Sequence, residues 1–126
     1  MQLFERSTEI DRLALLLDRT RATDEVLSLQ VTLAWYLRQC DNVRAQRLAA
    51  LASAQLAVEP GNSATQAMRA RLMLVGAETL WLLSEFEQAV AAAQTAMIMF
   101  HTLGDHAGSA DCHNILVSVY SSSGDL

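Results

Sequence analysis

Apolar residues recur three and four positions apart through most of this chain, and each such run ends at a cluster of capping or turn-forming residues. Ile10, Leu13, Leu16 and Leu17 form the first stripe. It follows Ser7-Thr8-Glu9, whose hydroxyls and acid suit the positive end of a helix dipole, and predicts a helix from there to about Arg19. The second run starts at Thr23-Asp24-Glu25, carries Val26, Leu29, Leu33, Tyr36 and Leu37 on one face, and stops at Cys40-Asp41-Asn42. A third extends from Val43 to about Val58 with Leu48, Ala52 and Leu56 inward. Glu59-Pro60-Gly61-Asn62 ends it, because proline cannot continue the hydrogen-bond ladder and glycine takes turn angles.

A fourth helix is predicted from Ser63 to Leu83, with Leu72, Met73, Gly76, Leu80 and Leu83 on its packing face. A glycine inside a helix costs about 1 kcal/mol, and close approach of a neighbouring helix at Gly76 is the expected compensation. After Ser84-Glu85 the fifth run places Phe86, Ala89, Val90, Ala93, Met97 and Phe100 at helical spacing. A sixth follows Gly104-Asp105, turns Leu116, Val117 and Tyr120 inward, and breaks at Ser121-Ser122-Ser123-Gly124. The prediction is an all-α chain of about six helices.

The turn positions Cys40, Ser84 and Gly124 lie 44 and 40 residues apart, a spacing expected of stacked helical hairpins. Together with Gly76-x-x-x-Leu80, the aromatic Phe86 and the small residues Ala89 and Ala96, this layout resembles tetratricopeptide (TPR) repeats of the longer-period bacterial kind. The resemblance implies an α-α superhelix, with residues 1–22 as a capping helix, repeats at 23–61 and 62–104, and an incomplete repeat at 105–126. Leu29, Met73 and His113 stand where the strongest TPR members carry tryptophan. A helical bundle without repeats is the alternative architecture.

Net charge is −5, unevenly divided: residues 1–71 hold all nine arginines against eight acids, whereas residues 72–126 hold six acids and no basic Arg or Lys. An acidic half argues against a nucleic-acid partner, whose phosphates need a cationic face. It also gives a reason for opposite halves of two copies to attract. No apolar run is long enough to span a membrane, and the N-terminus lacks a secretion signal, so a cytoplasmic protein is expected. Cys40 and Cys112, both in helical segments, read as small buried apolar groups.

Catalysis finds little support. His101, His106, Asp111, Cys112 and His113 match no common zinc spacing, no glycine-rich phosphate loop is present, and the serines at 121–123 suit a helix end. No metal or cofactor is expected; a small metal or redox enzyme built on Cys112 and the histidines is the competing class. Repeats of this kind bind proteins or peptides through a concave face. By register from the turns, the resemblance places there Gln30, Ala34, Leu37 and Arg38; Arg71, Leu74, Glu78 and Trp81; and Asp111, Asn114 and Ser118. Arg38, Arg71 and Asn114 suit a peptide carboxylate or backbone, and Trp81 suits an anchor, with burial between helices as the other reading for Trp81 and Trp35. Arg44, Arg47 and Arg69 read as solvated faces.

A third repeat without its second helix leaves an uncovered stripe at Leu116, Val117 and Tyr120, which predicts self-association as a homodimer or continuation of the protein past Leu126. The expected function is a non-catalytic interaction and dimerisation module. Similar arrays stand N-terminal to bacterial signalling domains such as GGDEF-type diguanylate cyclases; a stand-alone peptide-binding regulator is the alternative.

Overall fold

The computed structural model describes residues 2–20 and 22–123. Among them are six α-helices and no strand: α1 (Gln2–Arg19), α2 (Thr23–Leu37), α3 (Asn42–Leu56), α4 (Ser63–Leu82), α5 (Phe86–Leu103) and α6 (His106–Ser123). Each helix packs on the next, and α4 also touches both α2 and α6. Thus α2, α4 and α6 form a row, with α3 against α2 and α4, and α5 against α4 and α6.

The turns follow from local chemistry. Asp41 caps α3 by accepting from the Arg44 N–H at 3.2 Å. Asn62 and Thr65 form a reciprocal capping box at the start of α4, and the Thr65 hydroxyl also donates to the Pro60 carbonyl at 2.7 Å. The α4–α5 and α5–α6 turns share one geometry. In each, a residue with positive φ, Ser84 at 61° or Gly104 at 71°, lets the following N–H reach back to Leu80 or Phe100. Asp105 then caps α6 through the Gly108 N–H at 2.9 Å.

Several expectations about helix ends and faces need correction. Helix α1 begins at Gln2, so Ser7 and Thr8 lie inside it, and Leu16 faces solvent while Leu13 is buried. Ala22 rather than Thr23 precedes α2, without a side-chain cap. Leu83 lies past the end of α4 and is 67% exposed. Gly124, the expected last break, is outside the described residues.

The glycine that permits close packing is not Gly76, where an added Cβ meets nothing within 4 Å. It is Gly108, where a Cβ would sit 2.3 Å from the Phe100 ring. The Asp105 cap lays the first turn of α6 over Phe100, and only a residue without a side chain fits between them.

Three apolar clusters form the interior. One gathers Ala70, Leu74 and Ala77 of α4 with Ala89, Ala93, Ala96 and Phe100 of α5 and Cys112, Ile115, Leu116 and Val119 of α6. A second joins Leu13 to Leu33, Ala34 and Leu37 of α2, Ala45 and Leu48 of α3, and Val75. A third holds Leu27, Val31, Ala52, Leu56 and Leu72. Trp35 packs against both the first and the second, tying the front of the chain to its back. Among the described residues no helix is long and apolar enough to cross a membrane.

Candidate functional site

Because α2, α4 and α6 lie side by side, residues about forty apart in sequence meet across them. The Arg38 Nε donates to Glu78 Oε1 at 3.0 Å, and the Arg71 Nη1 to Asp111 Oδ2 at 2.7 Å. The Trp81 indole N–H donates to the Ser122 hydroxyl at 2.9 Å. At the start of α3, Asn42 donates to the Thr79 hydroxyl at 3.1 Å. The first three of these contacts link the helices of the row to one another, and the last ties α3 to α4.

A cleft of about 90 Å³ opens on the row. Trp35, Arg38 and Gln39 come to it from the end of α2, Glu78 and Trp81 from α4, and Asp111, Asn114, Ile115 and Ser118 from α6. Arg38, Glu78, Trp81, Asn114 and Ser118 are thus brought together. Arg71 joins through Asp111 and through the Trp35 ring, whose centroid lies 4.5 Å from its guanidinium carbon. The Arg38 guanidinium lies closer still, 3.6 Å from that centroid, and its Nη1 donates to the Trp35 carbonyl at 2.9 Å. Gln30, two turns earlier on α2, is not among the cleft residues.

Other parts of the expected surface are interior. Ala34, Leu37 and Leu74 belong to the core, because α2 and α4 are covered by neighbours on the sides those residues face. Glu78 is only 1% exposed, so it is a wall of the cleft and not a projecting contact. Trp35, Gln39 and Ile115 were not anticipated as cleft residues. Trp35 was legible in principle, since it stands one turn before Arg38 on the same helical face.

The electrostatics of this cluster turn on Glu78. Its Oε1 takes Arg38 and, at 3.4 Å, Gln39; its Oε2 is buried with no hydrogen-bond partner among the described residues. Burial pushes the Glu78 carboxyl above its ordinary pKa, and Arg38 and Gln39 only partly oppose that. The same burial moves Arg38 below its ordinary value, against the pull of Glu78. Desolvation therefore outweighs pairing for both partners.

The reactive residues elsewhere are dispersed. Cys112 is buried, and burial pushes its thiol up to about 11 despite Arg71, which suits a packing group and not a nucleophile. Cys40, expected inside, is exposed at the α2–α3 turn. His101, His106 and His113 all face solvent, and among the described residues no group of three metal-ligating side chains forms. Arg69, expected on a solvated face, donates to the Leu56 and Glu59 carbonyls at 2.7 and 3.3 Å and so ties the end of α3 to α4.

Among the described residues, two wider hollows lie away from the cleft. One of about 340 Å³ is bordered by Ser53, Leu56, Ala57, Arg69, Leu72 and Met73, and one of about 290 Å³ by Met97, Ile98, His101, Thr102 and Ser109. Neither gathers the convergent charged and aromatic groups of the cleft. On α6, Leu116 is buried in the core at 8% exposure and Tyr120 packs partly against it; Val117, at 47%, is the residue of the expected self-association stripe that faces solvent. Compared with known proteins, the chain matches no family model, and neither a curated protein nor a solved structure is detectably similar to it.

Proposed function

We propose that this chain is a non-catalytic interaction module that takes a protein or peptide segment across the face formed by α2, α4 and α6. The observation that carries this reading is the convergence of Trp35, Arg38, Glu78, Trp81, Asp111, Asn114 and Ser118, from three separate helices, on one cleft. Its size selects the ligand class. Small-molecule and cofactor sites enclose about 300–1,000 Å³, whereas this cleft of about 90 Å³ has room for one side chain of a longer segment. Trp81, half-buried with a polar handle, is the anchor.

The row of alternate helices is what a TPR-like array requires, and it supports that reading of the repeats. The setting implied by the resemblance is the regulatory region of a bacterial signalling protein, with an intracellular partner. Self-association in this reading runs through Val117, the exposed apolar residue of the α6 stripe.

Selecting short peptides from a displayed random library against the purified chain tests the proposal. Selected peptides should lose about tenfold or more in affinity on Trp81→Ala, measured at a temperature where the variant keeps its helical circular dichroism. Affinity indifferent to Trp81 in every selected peptide would place binding elsewhere and overturn the reading.

A further inference from the structure

Among the described residues α1 lies against α2, burying Leu13 and leaving its opposite side to solvent. Leu15 stands at the centre of that outer side and is 50% exposed. Residues three and four positions away are its neighbours on a helix surface, and all four of them are charged: Asp11 and Arg12 before it, Asp18 and Arg19 after it. All four are exposed as well. The order of signs is the same on both sides of the leucine, acid and then base.

That order is self-complementary. When two copies of α1 meet antiparallel about a two-fold axis at Leu15, Asp11 of one copy faces Arg19 of the other, and Arg12 faces Asp18, each pair occurring twice. The two leucines meet on the axis. A parallel pairing would set every charge against its own copy, so the signs also fix the direction. Arg12 is bound to Glu9 within the helix through Nε and Nη2, which leaves its Nη1 for an acceptor across the axis. Two acids and two bases cancel, so the face gives no electrostatic preference for a polyanion or an anionic lipid surface.

We propose that the outer face of α1 is a homodimerisation surface, on which a second copy of this chain docks antiparallel through Leu15 and the reciprocal Asp11–Arg19 and Arg12–Asp18 pairs. This goes beyond the peptide-binding reading: among the described residues no α1 side chain lines the cleft, and α1 stands at the other end of the helix order from Val117 of α6. One helix face per copy falls below the ~1,200 Å² of standard interfaces. The dimer is therefore weak, with a Kd of about 10–100 µM, and sensitive to salt.

Sedimentation velocity at several concentrations tests this, using a Val117→Glu parent to remove the α6 contact. Asp11→Arg with Asp18→Arg makes the α1 face wholly basic, and Arg12→Asp with Arg19→Asp makes it wholly acidic. Each variant alone should stay monomeric about tenfold above the parent's Kd, and an equimolar mixture of the two should dimerise about as tightly as the parent. Salt raised from about 0.05 to 0.5 M should weaken the parent dimer severalfold. Leu15→Asp places two carboxylates on the axis and should abolish the dimer by itself. All five positions are exposed, and helical circular dichroism checks that each variant folds.

A Val117→Glu parent that stays monomeric up to about 1 mM overturns the proposal. So does a dimer that survives in either charge variant alone or in Leu15→Asp, and so does a mixture of the charge variants that remains monomeric. If the native chain dimerises and Val117→Glu does not, self-association belongs to α6. None of these results bears on peptide binding, which Trp81→Ala reads separately.

Discussion

The α4–α5 seam and the end of the α2–α4 seam are built from opposite materials. Between α4 and α5, Ala70, Leu74, Ala77, Ala89, Ala93 and Ala96 are all fully buried, and small side chains let the two backbones approach closely. Where the end of α2 meets α4, the contact is made by Arg38 and Gln39 with a buried carboxylate, roofed by Trp35. The first seam gains apolar burial without desolvating a charge. The second desolvates two charges and leaves one oxygen without a partner among the described residues. The first seam supplies packing, and the second gathers charged and aromatic groups at the cleft.

Substitutions separate the two. Leu74→Ala opens a cavity in the apolar seam and should cost about 2–5 kcal/mol in urea unfolding, the largest effect in the set. Glu78→Leu strips Arg38 of its partner and should cost about 1–3 kcal/mol, the discount reflecting the partial exposure of Arg38. The double variant Arg38→Met with Glu78→Leu should recover most of that loss, since it removes both desolvated charges. A double variant less stable than either single would show that the ion pair holds the seam together and would break the contrast.

The pH dependence sharpens it. With its folded pKa raised above the ordinary 4.5, Glu78 contributes stability that is fully present below 4.5 and is lost as pH rises through the folded value. The stability of the native chain relative to Glu78→Gln should therefore grow as pH falls from neutrality toward 4.5. A difference that shrinks over that range would mean that pairing with Arg38 dominates burial.

The smallest effects belong to the two turns, which differ by one residue type at the same geometry. Ser84 holds a left-handed conformation that glycine adopts without strain, so Ser84→Gly should stabilise by about 0.5–1 kcal/mol, and Gly104→Ala should destabilise by about 1 kcal/mol. Thermal melts of the two variants moving in the same direction would contradict the shared turn geometry.

The six helices were legible because apolar spacing and caps agree along most of the chain, as at Asp41 and at Asn62. The row of even-numbered helices is the arrangement that brings Arg38, Glu78 and Ser118, spaced by forty, to one cleft. What escaped was depth. Ala34, Leu37 and Leu74 share the register of the surface residues, and only the packing of neighbouring helices decides that they are interior. Glycine roles escaped as well: Gly76 fits the repeat pattern but meets nothing, whereas Gly108 is demanded by a ring eight residues earlier. Nor does periodicity distinguish a solvated arginine from Arg69, whose partners are the backbone carbonyls at the end of the preceding helix.

The most direct measurement is backbone hydrogen exchange of the chain with and without a library-selected peptide. Added protection is expected at 35–39, 78–81 and 111–118, the three segments that meet at the cleft. Protection confined to 53–73 or 97–109, where the two wider hollows lie, would contradict it.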